Sequence, residues 1–183
     1  MNNIYILLAD GFEEIEALTP ADVLRRADFN VYLVSTNRDR IVKGSHNIVV
    51  ECDILLDDVE VSNALMLILP GGMPGTLNLK NNKSVIDVIL KFSDRDKWIG
   101  AICAAPMILG EMGLLDGKTV TCYPGYEKHL FNAKHIETPA VTDGKLITGR
   151  SAGAALDFSF EIVKQLAGQE KANELMSKMV TVK

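Results

Sequence analysis

The stretch Trp98-Ile-Gly-Ala-Ile-Cys-Ala-Ala-Pro-Met-Ile-Leu-Gly110 decides the reading of this chain. Trp98–Ile102 reads as a short buried strand and Ala104–Met112 as an apolar helix, which leaves Cys103 alone on the turn between them. A strand-to-helix turn this tight predicts a strained backbone at Cys103 and a thiol held outward at the carboxyl edge of a sheet. The free N–H groups at the helix start then point toward the sulfur. A helix N-terminus carries about half a positive charge, so the thiol pKa is expected below its free value of about 8.5. Gly100, Ala101, Ala104 and Ala105 suit the crowding of such a turn. The competing reading is an inert core thiol, because free cysteine is among the most buried residue types.

Working outward, the chain alternates strands and helices. Ile4–Ala9 reads as a strand, Glu14–Ala27 as a helix, Val31–Ser35 as a strand, and Ile41–Asp53 as an extended region resembling a small hairpin. Leu65–Leu69 is a continuous apolar strand, Val85–Phe92 the core of an amphipathic helix, and Thr119–Cys122 a strand. Ala140–Asp143 and Leu146–Thr148 form a hairpin around Asp143-Gly144, followed by a helix Ala154–Leu166 ended by Gly168 and a last helix Glu170–Lys178. Continuous apolar strands alternating with helices predict an α/β fold, a three-layer α/β/α sandwich around a mostly parallel sheet. At 183 residues the chain is expected to form one domain, 1–183.

Composition excludes several classes. The chain is 48% apolar and 23% charged with a net charge of −5, so no basic surface for nucleic acid is expected. The run Ile4–Ala9 follows no basic region and meets Asp10-Gly11, which favours a strand over a signal peptide or a membrane span. A cytoplasmic protein is expected. Cys52, Cys103 and Cys122 are three thiols without close spacing, as in a reducing compartment. No C-x-x-C or His-x-x-x-His pair is present, and neither metal nor cofactor is expected.

Ligands of open α/β sheets bind outside the carboxyl ends of the strands, which singles out three loops: Asp10-Gly-Phe-Glu-Glu-Ile-Glu16, Pro70-Gly-Gly-Met-Pro-Gly75 and the Cys103 turn. Pro70–Gly75 could cradle a phosphate or make a tight turn, but it matches neither the P-loop nor G-x-G-x-x-G. Beside a thiolate, the N–H of Gly72 together with that of Ala104 could hold the oxyanion formed when sulfur attacks a carbonyl. Glu13, Glu14 and Glu16 sit where acids offset the helix dipole. Glu16 could in addition face the crevice, where a neighbouring thiolate would keep it protonated and let it donate a hydrogen bond and shuttle a proton.

Together these loops resemble the DJ-1/PfpI superfamily, also called ThiJ, in its DJ-1-like branch. The resemblance rests on Ala9–Glu16, Leu69–Gly75, Ala101–Pro106 and a fourth match, Thr148-Gly-Arg-Ser-Ala-Gly153, and covers essentially the whole chain. It implies a flavodoxin-like sandwich and a homodimer. It also implies that Cys103 is the nucleophile or oxidisable thiol, Glu16 its protonated partner, and Gly72 and Ala104 the oxyanion site. Members are described as glutathione-independent glyoxalases, deglycases, oxidative-stress sensors, chaperones and, in the PfpI branch, peptidases.

Two positions depart from the family pattern. DJ-1-type relatives often place a histidine where this chain has Tyr123, and the PfpI branch places one where it has Ala104. Peptide hydrolysis must protonate a poor amine leaving group, so without either Cys–His pair it is disfavoured. Adding a thiolate to an aldehyde expels no amine. Gly71, Tyr123 and His46 are the expected pocket residues, Tyr123 being either a hydrogen-bond donor or a packed strand residue, and Met73 a rim residue. His129 and His135 are expected to be solvated, and Cys52 and Cys122 to pack as small apolar side chains. Three functions follow: an enzyme acting on a small aldehyde or 2-oxoaldehyde, a thiol sensor oxidised at Cys103, and a holdase using apolar surface, independent of Cys103.

Overall fold

Alternate residues of the apolar strands face opposite sides of one sheet, and both sides are covered. The computed structural model describes residues 3–180. In chain order the elements are β1 (Asn3–Leu8), α1 (Glu14–Arg26), β2 (Asn30–Ser35), β3 (Ile41–Lys43), β4 (Val49–Glu51), β5 (Ile54–Leu55), β6 (Ala64–Leu69), α2 (Gly75–Asn81) and α3 (Lys83–Asp94). Then come β7 (Trp98–Ile102), α4 (Pro106–Glu111), β8 (Thr119–Val120), β9 (Lys134–His135), β10 (Ala140–Asp143), β11 (Leu146–Gly149), α5 (Ala155–Ala167) and α6 (Gln169–Lys178). The main sheet runs β10-β11-β7-β6-β1-β2-β5. All its pairs are parallel except the β10–β11 hairpin, which turns at Gly144 with φ +63°.

Ile4, Ile6 and Leu8 of β1, with Met66 and Ile68 of β6, pack under α1, α5 and α6. Tyr5 and Leu7, with Leu67 and Leu69, pack under α2, α3 and α4. This two-sided burial explains why these strands carry no polar alternation, and it makes the molecule the expected sandwich of three layers. Asn82 starts α3 by accepting the Ser84 N–H at 3.0 Å, an ordinary N-cap. Gly100 lets α5 approach the sheet, because a Cβ there would stand 2.7 Å from Met66 Cε and 3.1 Å from Phe158 Cζ.

Three expectations need correction. The helix after Cys103 is six residues, Pro106–Glu111, and not Ala104–Met112. Proline fits its first turn, and the chain leaves it through Gly113 at φ +73°. The strand expected over Thr119–Cys122 covers only Thr119–Val120 and pairs with β9 outside the main sheet. Beyond it, the backbone is satisfied elsewhere: Thr121 N–H donates to Thr148 Oγ1 at 2.9 Å and Tyr123 N–H to the Cys103 carbonyl at 2.8 Å. Finally, α2 begins within the Gly/Pro-rich segment that reads as a loop, since the residues that shape the turn obscure the helix start. The Ile41–Asp53 hairpin is present as the antiparallel pair β3–β4.

Candidate active site

Strands β7, β6 and β1 are neighbours in the sheet, so the turns after Ile102, Leu69 and Leu8 open side by side. Cys103 has φ +65°, the left-handed region that side chains other than glycine rarely adopt. The strain expected at this turn is therefore present. It is held from both sides, by Cys103 N–H donating to the Gly149 carbonyl at 2.9 Å and by the Tyr123 N–H on the Cys103 carbonyl. Cys103 is half-buried, whereas the other free thiols, Cys52 and Cys122, are buried as expected.

Loop 70–75 and the loop before α1 are sewn together. Glu13 N–H donates to the Gly71 carbonyl at 3.0 Å and Gly75 N–H to the Gly11 carbonyl at 3.1 Å. This brings Glu16, fully buried in the first turn of α1, beneath the sulfur. Its Oε2 accepts the Gly71 N–H at 2.9 Å, and the carboxyl hydrogen-bonds to Cys103. Oε1 is buried with no N–H or O–H donor beside it, the arrangement of a carboxyl that keeps its proton better than a fully donated carboxylate would. Burial is the main cause that pushes the Glu16 pKa up to about 7, opposed by the bonds from Cys103 and Gly71 and assisted by the charge of Glu13.

Burial also pushes the Cys103 thiol up, as do the charge and hydrogen bond of Glu16, while the N–H groups of Ala104 and Gly72 pull it down. The expected lowering by a helix terminus is thus outweighed. The helix starts only at Pro106, and the N–H groups that lower the thiol pKa are those of Ala104 on the turn and Gly72 on the neighbouring loop. The two groups titrate as one unit. The first negative charge can rest on carboxylate or sulfur, and a second is strongly disfavoured because two buried like charges repel. When Glu16 holds its proton, the repulsion vanishes and the two N–H donors favour a thiolate.

Gly71 completes the site by having no side chain. A Cβ would stand 2.6 Å from Glu16 Oε2, 2.8 Å from Cys103 Cβ and 3.1 Å from Cys103 Sγ. Gly71→Ala is expected to lower cysteine-dependent activity by at least about 100-fold, as misplacement of reacting groups by about 1 Å does. The rate of Cys103 alkylation by iodoacetamide, compared with wild type, checks that the sulfur has been displaced or shielded.

The outer pocket residues are placed differently. Tyr123 is exposed, with its ring edge-on to Tyr126 at 6.3 Å; its backbone touches the nucleophile turn. His46 has Glu14 Oε2 at 2.9 Å, Ser45 Oγ at 3.1 Å and Glu13 Oε2 at 3.6 Å from Nδ1, and these acids raise its pKa. It clips the loop between β3 and β4 to the start of α1, and Cys103 is not among its partners. Met73 is exposed, as a rim residue would be. His129 and His135 are not simply solvated: His129 Nδ1 pairs with Glu111 at 2.9 Å, and His135 Nε2 is buried without a partner. Sequence reasoning missed both because their neighbours are remote in the chain. It gave Glu14 only the role of offsetting the helix dipole, whereas Glu14 is buried and accepts the backbone N–H of His46 at 2.8 Å.

Residues 2–165 match the model of the DJ-1/PfpI family. Protein DJ-1 homolog B of Arabidopsis thaliana is 36% identical over 173 residues, 94% of this chain and 40% of that protein, and homolog A likewise extends well beyond it, the match covering 44% of its length. The chain therefore spans less than half the length of these plant relatives. The glutathione-independent glyoxalase DJ-1 of Schizosaccharomyces pombe is 29% identical, over 94% of this chain and 95% of that one. A deglycase of Pyrococcus abyssi is 30% identical, over 89% and 98%. Among solved structures, Drosophila melanogaster DJ-1beta superposes with a TM-score of 0.92 at 34% identity, covering 100% of this chain and 99% of that one. Oxidized Toxoplasma gondii DJ-1 superposes with a TM-score of 0.94 at 27% identity, covering 99% of each.

Proposed function

The chain belongs to the DJ-1/PfpI family, and we propose that it is a cysteine-dependent enzyme of small reactive carbonyls, of the glutathione-independent glyoxalase or deglycase type. One observation carries the reading: a buried carboxyl with its pKa near neutrality, hydrogen-bonded to a thiol on a strained turn. A carboxyl poised at about 7 can both give and take a proton at neutral pH. The names of the yeast glyoxalase and the archaeal deglycase agree with this chemistry.

With a 2-oxoaldehyde, the sulfur of Cys103 bonds to the aldehyde carbon and the carbonyl electron pair moves onto oxygen. That oxygen takes the proton of Glu16, giving a hemithioacetal, while the N–H groups of Gly72 and Ala104 stabilise the developing charge. The Glu16 carboxylate then removes the hydrogen of the former aldehyde carbon as a proton and returns it at the neighbouring carbon. The product of that step is an α-hydroxythioester. Water cleaves the thioester, releasing the hydroxy acid and restoring the thiol, so 2-oxoaldehyde plus water becomes hydroxy acid with no net oxidation. No step needs the histidine that Tyr123 replaces.

The experiment is product counting with methylglyoxal as substrate. Many moles of lactate per mole of protein are expected; one equivalent or less sinks the glyoxalase reading. That result would favour a second reading, thiol oxidation, for which the supporting observation is that Cys103 is the half-buried one among three free thiols. A solved relative is itself an oxidized DJ-1.

A further inference from the structure

Cys122, Glu127 and His135 come together behind the nucleophile turn although they lie on three separate segments. Cys122 follows β8, Glu127 begins a short 3-10 turn over Glu127–His129, and His135 ends β9. A thiol sulfur, a carboxylate oxygen and a ring nitrogen from these residues all lie within 4.8 Å of one another. From this convergence we propose a binding site for a divalent cation of the zinc class, with Cys122, Glu127 and His135 as ligands and a fourth position open to water.

The donor set chooses the metal. One sulfur, one nitrogen and one oxygen suit tetrahedral zinc and its neighbours among the transition metals, while calcium and magnesium require oxygen alone. Bond lengths of about 2.0–2.3 Å set ligand–ligand edges of roughly 3.3–3.8 Å in a tetrahedron, so the three groups need only close by about 1 Å. Glu127 supplies most of that movement, being exposed on its turn and held by backbone N–H groups alone, its own and that of Gly125, the latter donating to Oε2 at 2.8 Å. Cys122 is fully buried and fixed, lying between Thr121, bonded to Thr148, and Tyr123, bonded to Cys103.

A second observation points the same way. His135 Nε2 is buried with no hydrogen-bond partner, and a buried polar atom left unsatisfied is destabilising. The histidine of the group thus keeps a ring nitrogen that no protein atom satisfies. Charge is also compatible. Burial and the charge of Glu127 push the Cys122 thiol up and Arg150 only partly offsets them, so the cation must displace the thiol proton as it binds; the thiolate and carboxylate then supply two negative charges against the one positive charge of Arg150. A divalent cation is therefore still attracted. Bound there, it would stiffen the Cys122-Tyr123 segment, whose backbone N–H holds the Cys103 carbonyl.

The test is titration of the full-length, metal-free protein with cobalt(II) as a spectroscopic stand-in, followed by displacement with zinc(II). Wild type is expected to bind one cobalt with a thiolate-to-metal charge-transfer band. Cys122→Ser should lose the band, and His135→Ala and Glu127→Ala should each weaken binding by at least about tenfold, with circular dichroism confirming that each variant is folded. Glu127 is exposed, so its variant reads the site even where the Cys122 variant does not fold. Cys103→Ser should keep the band. No band in wild type would overturn the proposal. So would a band lost in Cys103→Ser but kept in Cys122→Ser, or cobalt binding abolished by His46→Ala, which would place the ion at the Glu13–Glu14–His46 group instead.

Discussion

Cys103→Ser is expected to reduce lactate formation from methylglyoxal by on the order of 10³-fold or more, to the level of the uncatalysed reaction, as loss of a nucleophile does elsewhere. The thermal midpoint should move little. The serine hydroxyl occupies the same place on the same turn, but it ionises far above any pH at which a carboxyl with a pKa of about 7 could take its proton. The other thiols cannot substitute, because Cys52 and Cys122 are buried away from solvent and from any substrate, whereas Cys103 is half-buried and sits beside Glu16. The same variant separates the functions. Loss of turnover together with loss of peroxide-dependent mass gain places both chemistries on one sulfur, since a thiol able to attack carbonyls is also one that peroxide reaches. Product formation that survives the substitution would remove Cys103 from the mechanism altogether.

Much of this architecture is legible in the sequence because it is set by short-range pattern. Strands such as Leu65–Leu69 must be covered on both faces, and the only local way to do that is with alternating helices. The turn at Cys103 follows from an apolar strand meeting Ala-Ala-Pro without a spacer. The acid–thiol pair was legible only through three loops brought to one edge by strand order. What could not be read is what depends on distant partners. His129 meets Glu111, 18 positions earlier, and Cys122 and His135 meet only because β8 pairs with β9. The direction of the Cys103 shift also escaped sequence reasoning. A helix start is visible as Ala-Ala-Pro, but that the helix starts only at Pro106, and that burial and the charge of Glu16 outweigh the N–H groups of Ala104 and Gly72, depends on the folded loops.

The pairing makes Glu16→Gln the sharper test of mechanism, and it is expected to lower kcat by about 10²–10⁴-fold, the usual contribution of general acid–base catalysis. Glutamine fills the same space and keeps a donor toward the sulfur, but it cannot carry the proton between the two carbons. The pH profile should change with it. In wild type, the pair bears no charge below about pH 7, where thiol and carboxyl are both protonated, and one charge above it. Activity should therefore rise through about pH 7 with a slope of one proton and then level, since the pair as a whole stays singly charged. In Glu16→Gln that limb should vanish, leaving only the slower rise of the thiol's own ionisation. Stability should move the opposite way to activity. A carboxyl whose pKa rises from 4.5 to about 7 on folding binds its proton more tightly in the native state, so wild type loses stability as pH increases from about 4.5 to 7. The loss is on the order of 3 kcal/mol above pH 7. Urea denaturation at pH 5 and pH 8 should show this pH dependence in wild type and a flatter one in Glu16→Gln, which at pH 8 should be the more stable protein. A variant that lost both activity and stability at pH 8 would mean that Glu16 is a structural carboxylate, held for its bond to Gly71 and not for the proton it shares with Cys103.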